Sequence, residues 1–181
     1  TYLFFLDADV CVYPDTVDRL LQTFQADPAV DAVFGSYDKT PRARNFLSQY
    51  RNLLHHFVHQ EGRTEASTFW AGCGAVRRDV FAEMGGFDVS YGRPSIEDIE
   101  LGTRMRRLGH SVILDKEIQV THLKRWTPWS MVVVDVRDRA FPWTQLILRE
   151  GRTPNDLNLS LRNRISALLA YGLVASILIG A

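Results

Sequence analysis

The fold is decided by the opening stretch TYLFFLDAD, residues 1–9, in which an uninterrupted apolar run leads directly into two aspartates. A short continuous apolar run predicts a strand that is buried on both faces of a parallel sheet. Ligands of open α/β sheets bind beyond the carboxyl ends of the strands, which is where Asp7 and Asp9 fall. Two carboxylates one residue apart can hold Mg²⁺ or Mn²⁺, so this pair is the first candidate site.

The segments that follow predict an α/β domain. Pro14 begins a helical pattern, and a second strand is expected near residues 30–35. A longer helix is predicted over residues 43–60, where apolar side chains at helical spacing favour core packing. Contact of this helix with a membrane interface is the alternative. The side chains concerned are Phe46, Tyr50, Leu53, Leu54, Phe57 and Val58.

A second candidate site lies at the start of another predicted helix. Ser95 and Asp98 have the S-x-x-D spacing of a helix capping box, and a helix N-terminus also favours carboxylates such as Glu97. A functional carboxylate at this position would act as a general base toward an attacking hydroxyl group. Capping alone would also explain Asp98, and both interpretations stay open.

A third candidate site places four functional side chains directly after a predicted strand: His122, Lys124, Arg125 and Trp126. His122 can complete a metal site begun by two aspartates, and the two cations can stabilise a leaving diphosphate. Trp126 can offer an apolar face to a sugar ring. In residues 69–75, glycines permit the backbone to approach a ligand closely, although a bulged strand explains them as well.

The order of these motifs resembles family 2 glycosyltransferases. D-x-D after a strand, a glycine-containing strand leading to R-R-x-x-F-x-x-x-G-G-F-D, an E-D pair before a helix, and H-x-x-R-W follow one another over residues 1–126. The resemblance implies a partial GT-A fold, which is a Rossmann-like α/β domain. It also implies a hexosyltransferase that inverts the anomeric centre, with a nucleotide-sugar donor, UDP-linked, and Mg²⁺ or Mn²⁺ as cofactor.

The same resemblance assigns roles to residues. It gives the metal and the donor nucleotide to Asp7 and Asp9. It makes Asp98 the general base, and its neighbour Glu97 is a second catalytic candidate that could share this role. The other assignments place Gly72, Cys73, Lys124 and Arg125 at the donor, Trp70 and Trp126 at the acceptor, and His122 at the metal. Processive, membrane-integrated members carry Q-x-x-R-W, so His122 in the place of Gln argues against polysaccharide synthase activity.

The two ends of the chain predict a truncated membrane enzyme. The apolar start without Met predicts that a preceding part with most of the base-binding pocket is missing, so that this chain alone is not fully active. Residues 165–181 carry no charge and follow Arg162 and Arg164. This pattern predicts a transmembrane helix that starts on the cytoplasmic side, with a buried core helix as the alternative.

Three regions are therefore expected: a catalytic part over residues 1–122, an interfacial amphipathic region over 123–160, and the start of a transmembrane helix over 161–181. Trp and Pro residues among apolar runs suit helices that lie at a membrane surface. We expect the catalytic part on the cytoplasmic side of a plasma or inner membrane. The expected acceptor is a hydroxyl group of a lipid-linked compound or a glycan.

Composition limits the alternatives. The 21 basic and 21 acidic side chains give no net charge. Outside the expected membrane-facing region, the sequence has no basic stripe with interleaved aromatic residues, so nucleic-acid binding is not expected. Two cysteines, Cys11 and Cys73, do not make a disulfide framework. A haloacid-dehalogenase-type phosphotransferase also places D-x-D after a strand, but Val10 and Cys11 do not continue its pattern. A membrane-anchored nucleotide-sugar-binding module without activity is the non-enzymatic alternative.

Overall fold

The computed structural model describes residues 1–151 and 155–180, and a five-stranded sheet lies at the centre of the fold. The strands are β1 Tyr2–Leu6, β2 Val10–Val12, β3 Val30–Tyr37, β4 Cys73–Arg77 and β5 Ser111–His122. Their order across the sheet is β1-β4-β3-β5-β2. β3 and β5 pair in parallel, and the other three pairs of neighbours are antiparallel.

Helices cover the sheet and continue beyond it. They are α1 Thr16–Ala26, α2 Phe46–Glu61, α3 Arg78–Glu83, α4 Glu97–Arg107, α5 Pro128–Val133, α6 Phe141–Glu150 and α7 Leu161–Gly180. A π-helical segment, Val134–Ala140, joins α5 to α6 without a break. Single 3-10 turns lie at Val89–Tyr91 and Leu157–Leu159. The predicted α/β class is confirmed.

The first strand differs from its prediction. β1 lies at one edge of the sheet and pairs antiparallel with β4, and its Phe4 and Leu6 are exposed. The prediction of a strand buried on both faces of a parallel sheet was therefore wrong. β4 lies between β1 and β3, although the strand–helix–strand order runs from β1 through α1 to β3. A short apolar run shows that a strand exists, but it contains no information about which strand will pair beside it.

The core occupies both faces of the sheet because side chains of β3 alternate between them. Ala32 and Phe34 pack on one face with Leu101 and Met105 of α4. Val33 and Tyr37 pack on the other face with Leu20 and Phe24 of α1. This two-sided packing holds the ends of β2 and β5 in place, and the candidate site is built around those ends.

Helix α2 is oriented opposite to its prediction. Its buried side chains include the polar Ser48, Asn52, His56 and His59, and its outer face is apolar. His56 Nδ1 donates to the Tyr37 carbonyl oxygen at 2.7 Å, and His59 Nδ1 donates to that of Gly35 at 3.0 Å. Gly35 lies where the β3–β5 register shifts, so its carbonyl needs a partner from outside the ladder. The expected core packing is confirmed for Val58, which is buried, and was wrong for the other five apolar side chains, because hydrogen bonding to this bulge selects the polar face.

The long C-terminal helix α7 is apolar and exposed. Leu161–Gly180 has a mean hydropathy of 1.5 with none of it buried, and it is long and apolar enough to cross a membrane. The alternative of a buried core helix is therefore contradicted over the described residues of this segment. The helices predicted within residues 126–150 are confirmed as α5, the π-helical segment and α6.

Candidate functional site

The first part of the site forms where β2 pairs with the end of β5. Val10 lies opposite His122 in this antiparallel pair, which brings the residue before Val10 next to the residues that follow β5. Leu123 N donates to the Asp9 carbonyl oxygen at 2.8 Å. As a result, His122 Nε2 and Lys124 Nζ each lie 3.8 Å from Asp9 Oδ2. Sheet pairing thus joins two motifs that are more than a hundred residues apart.

Asp7 lies beside this group at the end of β1. Its backbone N–H donates to the Gly72 carbonyl oxygen at 3.2 Å, which ties the D-x-D turn to the start of β4. Burial and the neighbouring Asp9 raise the pKa of Asp7, whereas interaction with His122 lowers the pKa of Asp9. The two carboxylates repel each other when both are ionised, and a cation bound between them would reduce this repulsion.

The predicted metal site of Asp7, Asp9 and His122 is not assembled as a three-ligand site. Within residues 1–151 and 155–180, no group of three His, Cys, Asp or Glu side chains converges on one metal position. The chemistry of the pair nevertheless fits Mg²⁺ or Mn²⁺, which are commonly held by one or two carboxylates together with substrate phosphates. Asp7 and Asp9 are therefore the residues that could hold such an ion.

Asp98 at the start of α4 approaches the same region. Its Oδ2 accepts a hydrogen bond from Ala71 N at 3.0 Å, and its Oδ1 accepts from Ile99 N at 2.7 Å. Burial raises the pKa of Asp98 to about 6, against the opposing effect of the Ala71 N–H, and the charges of Glu97 and Asp7 raise it further. A carboxyl group with a pKa near neutrality is suited to exchange a proton at physiological pH.

The predicted capping box is wrong. Helix α4 has Ile96 at its N-cap and no side-chain capping bond. Ser95 Oγ instead donates to the Asp138 carbonyl oxygen at 2.6 Å, and Glu97 Oε2 accepts from Ser95 N at 2.7 Å. Asp98 reaches across to the chain before β4, because that segment offers a free N–H group close to the helix. The structure therefore removes the purely local explanation for Asp98.

The close approach of α4 to this segment depends on a glycine one turn after Asp98. A Cβ atom on Gly102 would lie 2.0 Å from the Phe69 backbone nitrogen and 2.4 Å from the Thr68 carbonyl carbon. Distances this short cannot be relieved by a side-chain rotation, because both atoms belong to the backbone. Gly102 thus allows the helix contact that places Asp98 beside Ala71.

We predict that Gly102→Ala destabilises the fold by about 1–3 kcal/mol, since overpacking forces backbone shifts. The same shift should move Asp98 and lower activity beyond the loss of folded protein. Thermal unfolding together with activity per folded molecule would measure both effects. Gly172→Ala is the control, because no atom lies within 4 Å of a Cβ at that position. A variant at Gly102 with unchanged melting temperature would contradict the packing argument.

A cavity of about 290 Å³ joins these residues to a second group from α2 and the π-helical segment. Its lining is Asp7, Asp9, Tyr37, Arg51, Leu54, His55, His122, Lys124, Trp126, Asp135, Arg139, Trp143 and Asn158. Three of these side chains are acidic and three are basic, so the cavity is balanced in charge apart from its histidines. Addition of a divalent cation would leave an excess of positive charge suited to a diphosphate.

An aromatic group forms one wall of this cavity. The rings of Tyr37 and His122 are stacked with centroids 4.2 Å apart, and His55 lies 4.3 Å from Tyr37. Trp70 packs edge-on against Tyr37 and contacts His55, so the side chain predicted to meet an acceptor supports this wall from behind and does not itself line the cavity. Burial lowers the pKa of His55 well below its ordinary value, which keeps that ring uncharged at neutral pH.

Trp126 differs from the expectation that its face is open to a sugar. It is only 3% exposed, and both Arg51 and Lys124 place their charges over its ring at 4.7 and 4.6 Å from the centroid. Its backbone N–H donates to Ser48 Oγ at 2.8 Å, which fastens it to α2. The ring therefore positions two cations of the cavity, and this contact occupies the surface expected to meet a sugar.

Three other predicted donor residues lie apart from the cavity. Cys73 is fully buried inside the sheet, and burial raises the pKa of its thiol to about 12. Gly72 is buried, and a Cβ there would lie 2.3 Å from the Trp70 indole, so this glycine serves ring packing. Arg125 is exposed and does not line the cavity. Sequence proximity to a site residue was a poor guide at these positions.

The sequence analysis missed the residues that α2 and the π-helical segment contribute. Arg51 forms a two-pronged ion pair with Asp135, while Arg139 projects into the cavity. Arg139 forms no ion pair within the described part of the chain and stays accessible to solvent, and partial desolvation beside the cavity lowers the pKa of its guanidinium. The sequence offered little to identify Arg139 as a site residue. π-Helical turns often occur at functional sites, but residues 134–140 show no pattern that predicts such a turn.

Comparison with known proteins agrees with this architecture. Residues 1–85 match the family described as Glycosyl transferase family 2. The fold matches the mannosyltransferase PcManGT from Pyrobaculum calidifontis, solved in complex with GDP-Man and Mn²⁺, with a TM-score of 0.62 and 19% sequence identity. That match covers 99% of this chain and 51% of the other, so this chain spans about half the length of PcManGT. No protein of curated function matches the sequence.

These matches confirm the resemblance found in the motifs. Residues 1–85 match glycosyl transferase family 2, and the chain has the GT-A type of fold. The alternative of a haloacid-dehalogenase-type phosphotransferase finds no support in these matches.

Proposed function

We propose that this protein is an inverting, metal-dependent hexosyltransferase acting at a membrane. The observation that supports it most strongly is the placement of Asp7, Asp9 and Lys124 in one cavity, with Asp98 close enough that the charge of Asp7 contributes to its raised pKa. A diphosphate-binding cation site beside a carboxyl group of raised pKa is what sugar transfer to a hydroxyl group requires. The match to PcManGT supports a nucleotide-sugar donor and a divalent ion.

The donor is proposed to bind with its diphosphate over the D-x-D pair. Asp7 and Asp9 would hold the divalent ion, which supplies positive charge to the phosphate oxygens. Lys124 and Arg139 line the same cavity and would contact the diphosphate directly. This arrangement transfers to Arg139 the role that sequence analysis gave to Arg125. A UDP-linked donor follows from the resemblance and a GDP-linked one from the neighbour, so the base of the nucleotide must be measured.

The reaction is proposed as a single in-line displacement. An acceptor oxygen forms a bond to the anomeric carbon while the bond from that carbon to the diphosphate oxygen breaks. Asp98 takes the proton of the acceptor hydroxyl, and Lys124 and Arg139 stabilise the negative charge of the leaving nucleoside diphosphate. Attack from the face opposite to the leaving group inverts the configuration. Asp98 begins this step ionised, since its pKa of about 6 lies below neutral pH.

We predict that Arg139→Gln weakens nucleoside diphosphate binding by roughly 10-fold or more, because a hydrogen bond to a charged group contributes about 1.5–3 kcal/mol. Arg137→Gln is a matched control: Arg137 lies two residues away and is exposed like Arg139, but it pairs with Asp138 outside the cavity. Titration calorimetry with the nucleoside diphosphate and Mn²⁺ would compare the two variants. Equal affinity of the two variants for the nucleoside diphosphate would contradict the assignment of Arg139 to the donor site.

Membrane attachment through α7 is part of the proposal. None of the 18-residue apolar window of this helix is buried, and Arg162 and Arg164 precede its uncharged part. Basic residues at that end favour a cytoplasmic start of the helix, which would place the catalytic part on the cytoplasmic side of a plasma or inner membrane. The proposed acceptor is a lipid-linked compound or a glycan that reaches this surface.

The experiment that tests the function measures release of nucleoside diphosphate from a panel of nucleotide sugars by the protein in native-like membranes. Metal-dependent release from one donor, with a glycosylated lipid or glycan as product, would support the proposal and identify the sugar. Binding of a nucleotide sugar without release, in the presence of membrane lipids, would instead support the binding module without activity.

A further inference from the structure

The outer face of α2 is an apolar surface that stays largely exposed in the described structure. Phe46 is 78% exposed, Tyr50 50%, and Leu53, Leu54 and Phe57 are each close to 45% exposed. Their spacing of four, three, one and three residues places all five on one side of the helix. A soluble helix normally buries such a face, and here hydrogen bonding buries the opposite, polar one. Large exposed apolar faces mark contact with a partner or a membrane.

This face is continuous with the start of α7. The Arg162 guanidinium lies over the Phe57 ring, 5.9 Å from its centroid. Arg162 is the second residue of the helix that could cross a membrane, so α7 leaves the domain at the C-terminal end of the apolar face of α2. A bilayer crossed by α7 would therefore lie against the end of α2.

Two further features fit a lipid surface. Arg51 of α2 pairs with Asp135 and so joins α2 to the helix that carries three more exposed apolar side chains. These are Trp129, Val132 and Val136. Lys39, Arg42 and Arg44 surround a concave surface just before α2, where they could contact anionic headgroups. Tryptophan and basic residues at the rim of an apolar face are typical of helices that lie in a membrane interface.

We propose that the outer face of α2, defined by Phe46, Tyr50, Leu53, Leu54 and Phe57, lies in the interfacial layer of the bilayer that α7 enters. The proposal rests on the membrane attachment given under the proposed function. It assigns α2 a second contact with the membrane, separate from the anchor and directly beside the catalytic cavity. The domain is then held in one orientation, whereas an anchor alone would leave it free to rotate.

The orientation determines where the acceptor enters. Leu54 belongs to the outer face and also lines the catalytic cavity, as does Arg51 one turn earlier. If the outer face lies at the headgroups, the mouth of the cavity beside Leu54 opens at the same depth. An acceptor whose apolar part stays in the bilayer can then present its hydroxyl group to the cavity. This geometry favours the lipid-linked acceptor over a soluble glycan.

Site-directed spin labelling tests this contact in the protein reconstituted into vesicles of phosphatidylcholine and phosphatidylglycerol. Cys11, the exposed cysteine, is first replaced by Ser, since Cys73 is buried. A nitroxide at Leu53→Cys is compared with one at Val17→Cys on α1, which is equally exposed at 48% but belongs to a helix without an apolar outer face. Collision with dissolved oxygen and with a water-soluble nickel complex reports lipid and water contact, respectively.

We expect the Leu53 label to collide more with oxygen and at least several-fold less with the nickel complex than the Val17 label. Equal behaviour of the two labels would overturn the proposal. A third label at Leu169→Cys in α7 separates this failure from failure of the membrane attachment itself. Lipid contact at Leu169 with water contact at Leu53 would reject the α2 surface alone. Water contact at both positions would reject the membrane anchor as well.

Discussion

Replacement of Asp98 by Asn should lower kcat for sugar transfer by about 100- to 10,000-fold, which is the usual contribution of a general base. The amide keeps the size of the side chain but cannot accept the proton of the acceptor hydroxyl. Binding of the nucleoside diphosphate should change little, because Asp98 does not line the cavity that holds the cations. Transfer kinetics and titration calorimetry on the same preparation would separate the two quantities.

The pH dependence gives an independent test of the same residue. Because the pKa of Asp98 is raised to about 6, the carboxylate form is lost as the pH falls through that value. We expect kcat/KM to decrease about tenfold per pH unit below pH 6 and to level off above it. Asp79→Asn, an exposed carboxylate in the first turn of α3, should leave both the rate and the profile unchanged. A wild-type rate that does not vary between pH 5 and 7 would exclude Asp98 as the base.

Loss of the D-x-D pair should have the second large effect. Asp9→Asn is expected to reduce transfer by about 100-fold or more, comparable to removal of one group that stabilises transition-state charge. Asp9 is the carboxylate placed next to both His122 and Lys124, so its removal also leaves the charge of Lys124 without this counter-ion. Chelation should abolish transfer by the wild type, and added Mn²⁺ or Mg²⁺ should restore it.

The Asp9 variant can be distinguished from a misfolded protein by its metal requirement. A folded Asp9→Asn variant should keep its melting temperature and need a higher Mn²⁺ concentration for residual activity. Asp79→Asn again serves as the matched control, since it removes one acidic charge far from the cavity. Full activity of the wild type in the presence of chelator would refute the metal requirement and leave Lys124 and Arg139 as the cations at the diphosphate.

The two largest expected effects concern residues that the sequence identified, and the reason is physical. Asp7, Asp9 and Asp98 lie at ends of regular elements, where the chain turns and side chains are free to face a ligand. Such positions are marked in sequence by the change from apolar to charged residues. The interpretation of Asp98 as a capping residue could be removed only by the structure, which shows its carboxylate bonded to Ala71 across a chain contact.

The errors have one cause in common. Helix α2 was assigned to the core because its apolar residues have helical spacing, but the pattern does not say which medium they face. The bulge at Gly35 requires a hydrogen-bond donor, and His59 supplies it from the polar side. Similarly, Cys73 and Arg125 stand beside motif residues in the chain but point into the sheet and away from the cavity, respectively.

The sequence by itself determined the α/β class, the resemblance to glycosyl transferase family 2, the two acidic motifs and the apolar C-terminal helix, because these depend on local patterns of residue type. The tertiary structure alone decided the antiparallel edge position of β1, the outward apolar face of α2 and the entry of Arg139 into the cavity. These features depend on contacts between segments that are distant in the chain. Hydrogen bonding and packing select among several arrangements that the same local patterns allow.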